Sequence, residues 1–264
     1  MDRRGTRWRT HGLSVAGYRH RRDGIPCQDA WQQVVAGPAE APVTVLAVAD
    51  GAGSRLRSDE GSKLAVALAM DAFARWASRP CPPGEAVHAL LRHAYDEVAD
   101  AFLYQTGDQA DDFATTLAVL VLAPEWIGHL SVGDGFAIVR AGAVDGRAQF
   151  HLLPQAAAAS EYSNETVFLT SPGAERWVRT VCVRDAGVDG ALLSTDGLAQ
   201  AALSRPDGGC QTPNASFAAA VLGSLDRPGP DPVRDEEELA ALLRSDRLSA
   251  LNADDKTLVR AVRP

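Results

Sequence analysis

Asp50 closes the apolar run V-T-V-L-A-V-A-D and is followed at once by Gly51-Ala52-Gly53-Ser54. A carboxylate at the end of a core strand, backed by glycines that leave carbonyl oxygens open to approach, offers the oxygen donors a hard divalent cation takes. Asp-Gly is also a common turn dipeptide, so this stretch alone does not decide between turn and ligand. Its recurrence does. S-V-G-D-G-F-A-I-V sets Asp134 between two glycines, and A-L-L-S-T-D-G-L-A puts Asp196-Gly197 after another apolar run. N-A-D-D-K-T-L-V-R-A-V places Asp254 and Asp255 just before a final alternating stretch, and Asp29 precedes the strand-like run of C-Q-D-A-W-Q-Q-V-V. If these strands share a sheet or face one another, their acidic ends converge. Oxygen-only ligands favour Mg²⁺ or Mn²⁺ over zinc.

The elements that must position these acids follow the hydrophobic pattern. L-S-V-A-G-Y reads as a first strand, Arg19 to Asp23 as a polar loop, and V-T-V-L-A-V-A as a buried strand. Lys63 to Trp76 and Ala86 to Tyr104 carry apolar residues at the spacing of one helix face, and P-C-P-P-G between them forces a turn, giving an antiparallel helix pair. From Thr115 short strands recur: T-L-A-V-L-V-L, I-G-H-L-S-V, F-A-I-V-R and A-Q-F-H-L-L. Residues 154–165 read as an irregular segment, with strands resuming at Val167–Leu169, Val178–Val183 and Leu192–Ser194. Helices are expected over Leu198 to Leu203, over Ser216 to Leu225 with Asn214 as cap, and after Asp235, before the last strand. The pattern predicts an α+β fold, a four-layer α-β-β-α sandwich of two mainly antiparallel sheets flanked by helices. No linker divides it, so residues 1–264 are expected to form a single domain, with 1–11 a poorly ordered basic arm.

Net charge is −8, which disfavours nucleic acid as a partner, although seven arginines fall in the first 23 residues. The four cysteines have no C-x-x-C spacing and no histidine at ligand distance, against zinc and against a disulfide framework. No apolar run reaches membrane-spanning length and no signal-peptide core follows Arg3-Arg4. The expectation is a cytoplasmic protein with reduced thiols and no membrane contact.

Taken together, the motifs resemble those of the metal-dependent PP2C-type (PPM family) protein serine/threonine phosphatases, and more closely the bacterial subgroup with S-V-x-G-x-x-H and P-C-Q-D-A near the N-terminus. C-Q-D-A-W resembles the first acidic motif, V-A-D-G-A-G-S the D-G-x-G-G motif, A-T-T-L-A the G-T-T strand, S-V-G-D-G the G-D-S-R motif, L-S-T-D-G-L the T-D-G motif and D-D-K-T the closing D-N-x-T. The resemblance implies hydrolysis of phosphoserine and phosphothreonine by direct attack of a hydroxide bridging two Mn²⁺ or Mg²⁺ ions. It implies Asp50 and the Gly51 carbonyl as ligands, completed by Asp196 and Asp255, with Asp29 holding metal-bound waters and Asp134 recruiting a third ion. The substrate would be a phosphorylated protein, with a Ser/Thr kinase or its target as the partner. Gly24 stands where the family carries its phosphate-binding arginine; His20, Arg19, Arg21 and Arg22 are the candidates to replace it, His20 also matching the subgroup's histidine. Ala52 stands where a histidine proposed as general acid is often found. The alternative is a catalytically weak or inactive relative that binds metal and a partner as a regulator. E-Y-S-N-E-T-V-F-L-T lies where the family has its variable flap.

Overall fold

The computed structural model describes residues 7–77, 84–155, 166–206 and 210–263. Two five-stranded sheets, antiparallel throughout, carry the fold. One orders β1 (Arg9–Val15), β12 (Lys256–Val262), β9 (Val188–Ser194), β6 (Phe136–Val144) and β7 (Arg147–Leu152) side by side. The other orders β2 (Asp29–Ala36), β3 (Val43–Asp50), β4 (Leu117–Leu122), β5 (Ile127–Val132) and β8 (Arg179–Val183). A short pair, β10 (Leu203–Ser204) with β11 (Thr212–Pro213), stands apart. The helices are α1 (Tyr18–Asp23), α2 (Ser58–Ala77), α3 (Gly84–Thr106), α4 (Ala199–Ala202), α5 (Ala215–Leu225), α6 (Pro232–Leu243) and α7 (Asp246–Leu251).

Successive side chains of a strand point to opposite faces, and here both faces are covered, so the central strands are apolar without interruption. Along β3, Val45, Ala47 and Ala49 pack against α2 and α3, while Leu46 and Val48 pack between the sheets. Along β12, Leu258 and Val262 join the layer under α5 and α6, and Val259 and Ala261 join the layer between the sheets. The result is the expected α-β-β-α sandwich, with its core in three apolar layers.

Several elements differ from expectation. Trp8 is buried and β1 begins at Arg9, in antiparallel register with Val262, so the expected arm over 1–11 does not extend to residues 9–11. The cause is an ion pair: the Arg9 guanidinium meets buried Asp235 at 2.6 Å, and Arg227 meets the same carboxylate at 3.0 Å. Residues 1–6 lie outside the described residues, as do 156–165 of the irregular segment and most of P-C-P-P-G. Arg19 to Asp23 is helical, within α1. Val167–Leu169 forms no strand; its backbone runs into a turn. Helix α6 starts three residues before Asp235, at Pro232, because the Asp231 side chain caps it by accepting from the Arg234 N–H. Asn214 caps α5 as expected.

His129 on β5 is fully buried opposite Leu120, and neither ring nitrogen has a hydrogen-bond partner among the described residues. Burial lowers its pKa from 6.5 to about 4, so the native ring is neutral. The unfolded chain then takes up the proton first as pH falls. Stability from this group is complete above pH 6.5 and is lost on acidification toward about 4. The expected slope is about 1.4 kcal/mol per pH unit in that window, read from denaturant titrations as the difference between the native chain and His129→Leu. Parallel pH profiles for the two proteins would contradict a neutral buried imidazole.

Candidate metal centre

Strand β3 carries Asp50 to the end of its sheet, directly opposite Asp29 at the start of β2. The Thr115-Thr116 pair leading into β4 fixes the backbone there. The Thr115 hydroxyl and the Thr116 N–H each donate to the Asp50 carbonyl at 2.9 Å, and the Asp50 N–H donates to the Thr116 hydroxyl at 3.0 Å. Gly51 donates its N–H to the Gln28 carbonyl at 3.1 Å, and a Cβ at this position would stand 2.5 Å from the Ser58 carbonyl oxygen. Only glycine fits so close an approach. Asp134 comes from the turn between β5 and β6, and Asp196 opens a single 3-10 turn after β9. Carboxylate oxygens of Asp50, Asp134 and Asp196 lie within 4.8 Å of one another.

The two acids of D-D-K-T take different places. Asp255 is buried and fully used: its Oδ1 accepts from the Gly17 N–H at 2.6 Å and lies 2.8 Å from His20 Nδ1, and its Oδ2 accepts from the Gln28 N–H at 2.6 Å. It ties α1 and the approach to β2 onto β12. Asp254 is exposed, and its charge acts on Asp196. Beneath it the buried Lys256 ammonium donates to the Asn252 and Asp254 carbonyls, both at 2.7 Å. The oxygens of Asp255, the expected ligand, are thus already engaged, and Asp254 carries the exposed carboxylate of this loop.

The basic residues divide in a similar way. His20 is buried on α1 and turned to Asp255, 2.8 Å from its Oδ1. Arg21 donates to the Ala16 carbonyl, and Arg22 pairs with Asp23 at 2.7 Å. The exposed Arg19 guanidinium makes no hydrogen bond or ion pair with a described residue, while its backbone N–H binds the Ala253 carbonyl at 3.3 Å, beside Asp254. Gly24 ends α1 at φ 68°. Left-handed backbone of this kind is the usual glycine helix stop, which explains why no arginine stands there.

Buried Asp29 accepts from the Thr195 hydroxyl at 2.7 Å through Oδ2, while its Oδ1 has no partner among the described residues. Asp134 accepts from the Thr166 hydroxyl at 2.8 Å, and its Oδ1 and Gln28 Oε1 are likewise buried without a partner. Burial, and after it the charges of neighbouring acids, raise the Asp29, Asp50 and Asp196 carboxyls above the ordinary carboxylate range. Clustered acids and orphaned buried oxygens are costly unless a cation satisfies them. The donors are all oxygen, so the residues fit a hard divalent ion.

The chain is thus an α-β-β-α sandwich with an acidic centre, suited to a hard divalent cation, at one end of its sheets. The family model described as Protein phosphatase 2C matches residues 16–244. The serine/threonine-protein phosphatase 3 of Escherichia coli (strain K12) is 30% identical over 268 residues, covering 97% of this chain and 98% of that protein. The chain belongs to the protein phosphatase 2C family. Similar solved structures include the serine/threonine phosphatase Stp1 from Staphylococcus aureus (TM-score 0.60, 14% identity, 98% of this chain and 96% of that one). Another is the catalytic domain of the serine threonine protein phosphatase PstP in complex with two manganese ions (TM-score 0.58, 20% identity, 97% of each chain). Among the described residues no helix is long and apolar enough to cross a membrane.

Mutual repulsion makes a prediction for the protein kept in chelator. Asp134→Asn keeps an acceptor for Thr166 and removes one charge, so it should raise stability by about 1 kcal/mol, or roughly 2–4 °C in melting temperature. A lower melting temperature would mean that Asp134 is held by attractive contacts.

Proposed function

We propose that this chain hydrolyses phosphoserine and phosphothreonine esters in proteins, using two Mn²⁺ or Mg²⁺ ions and optionally a third. The observation that carries the reading is the convergence of Asp50, Asp134 and Asp196 from both sheets on one point. The manganese complex of PstP and the name of the E. coli relative support it. Asp50 and the Gly51 carbonyl would hold the cations with Asp196 and Asp254. Asp29 would act through water, by its unpartnered Oδ1, and Asp134 would serve the further ion. Such cations, when bound, lower the pKa of coordinated water and neutralise phosphoryl charge.

The remaining work falls to this chain's own groups. Asp255, held by Gly17, His20 and Gln28, fixes the loop that carries Asp254. Arg19, uncommitted and next to that loop, is the side chain proposed to receive the phosphate oxygens in place of the arginine that Gly24 lacks. Ala52 is buried, and its N–H binds the Ala114 carbonyl at 2.9 Å. It supplies no proton donor, so leaving-group protonation is assigned to solvent. The substrate is proposed to be a cytoplasmic phosphoprotein, a Ser/Thr kinase or its target, with the whole chain acting as one catalytic domain.

Hydrolysis of p-nitrophenyl phosphate and a phosphothreonine peptide in Mn²⁺, Mg²⁺ or EDTA tests this. Turnover should require the metal and fall about 100-fold or more in Asp50→Asn, the equivalent of ~3 kcal/mol. Asp254→Asn should lose turnover with little change in melting temperature, and Asp255→Asn should lower the melting temperature first. Mn²⁺ binding by calorimetry with no turnover of either substrate would replace the enzyme with a partner-binding regulator.

A further inference from the structure

A groove of about 530 Å³ separates the second half of α3 from the segment 169–175. Asp96, Asp100 and Leu103 line one wall at the spacing of a single helix face, and Leu169 and Glu175 line the other. Its lining is apolar where Leu103 is 45% exposed and acidic at the rim, where Asp96 and Asp100 stand exposed. Neither aspartate makes a hydrogen bond or ion pair with a described residue. Glu175 has Arg176 at 3.7 Å, an exposed pair of little worth in water. Arg92, the other nearby cation, is committed to the carbonyls of Glu175 and Val178.

Tyr95 also lines the groove. It is 2% exposed. The far wall is joined to the metal centre through two bonds: the Leu169 N–H donates to the Thr115 carbonyl at 2.8 Å, and the Thr115 hydroxyl donates to the Asp50 carbonyl at 2.9 Å. The groove thus adjoins the strand end that bears Asp50.

We propose that this groove takes a lysine or arginine side chain of the phosphoprotein substrate, from a position flanking the phosphoresidue, and so selects basic sequences. The inference rests on the phosphatase reading above. The aliphatic stem lies along Leu103 and Leu169, as such stems do on apolar surface. The cationic head meets Asp96 and Asp100 and donates to the Tyr95 hydroxyl oxygen.

The test walks a single arginine through the flanking positions of a phosphothreonine peptide and compares each with its alanine counterpart. At one position arginine should raise kcat/KM about tenfold in the wild type, mostly through KM, and the advantage should shrink as salt rises. In Asp96→Asn/Asp100→Asn the arginine-to-alanine ratio should fall to about threefold or less. Equal ratios in the two proteins, or no arginine preference at any position, would overturn the docking site. Fluorescence anisotropy of the same peptides reads the groove without turnover. Arginine-dependent binding that is lost in the double variant, in a protein hydrolysing nothing with Mn²⁺ or Mg²⁺, would uphold the groove and overturn the phosphatase reading.

Discussion

Carboxylates gathered with their oxygens within 4.8 Å of one another repel, by roughly 3 kcal/mol per charged pair at the dielectric of a partly buried site. Flexible loops would splay apart under that force. Here Asp50 ends strand β3, and Asp134 and Asp196 each stand two residues from a paired strand, so the sheets hold the charges together. The Asp50 peptide is clasped on both its N–H and its carbonyl by Thr115 and Thr116. A Cβ on Gly197 would come within 1.8 Å of the Asp255 carbonyl oxygen, so the Asp196 turn and the last loop press backbone against backbone. Rigid sheets and bare glycines are two parts of one device that keeps like charges close until a cation neutralises them.

The pair Asp254-Asp255 shows how such a device is kept in place. Two neighbouring acids of the same chemistry differ in burial, Asp255 being buried and Asp254 exposed at a bend, although their carboxylates and the His20 ring lie within 4.8 Å of one another. Asp255 satisfies two backbone N–H groups and a buried histidine, while exposed Asp254 accepts from the Asp255 N–H at 3.0 Å. His20 is thus part of the clamp that positions the site, which accounts for its burial on a helix whose other basic residues are exposed. The Asp235 cluster does comparable work at the N-terminal strand, where Arg9 and Arg227 share one buried carboxylate. Arginines that read as a solvated arm are, at Arg9, a structural pairing.

Much of this was legible because the signal was strong and local. Strand β5 was read to the residue, and β3 to its final aspartate, since unbroken Val/Leu/Ala runs ending at Asp-Gly leave few alternatives. The convergence of Asp50, Asp134 and Asp196 followed from acids repeated at strand ends. What escaped reading was set by tertiary partners. A carboxylate's two neighbours in sequence do not reveal whether its oxygens are already used, so the engagement of Asp255 by Gly17, His20 and Gln28 could not be read from D-D-K-T. Helix α1 is six residues long, too short for periodicity, and is anchored through His20 rather than by propensity. The start of α6 depends on the Asp231 cap, which the acidic run beginning at Asp235 obscured.

The central claim is that the converged acids form a divalent-cation site. Thermal denaturation with and without Mn²⁺ tests it most directly, because a ligand bound only by the native state stabilises it by RT ln(1 + [L]/Kd). The account predicts a melting temperature that climbs with Mn²⁺ in the native chain and stays flat in Asp50→Asn/Asp196→Asn. No rise in the native chain, or the same rise in both proteins, would contradict it.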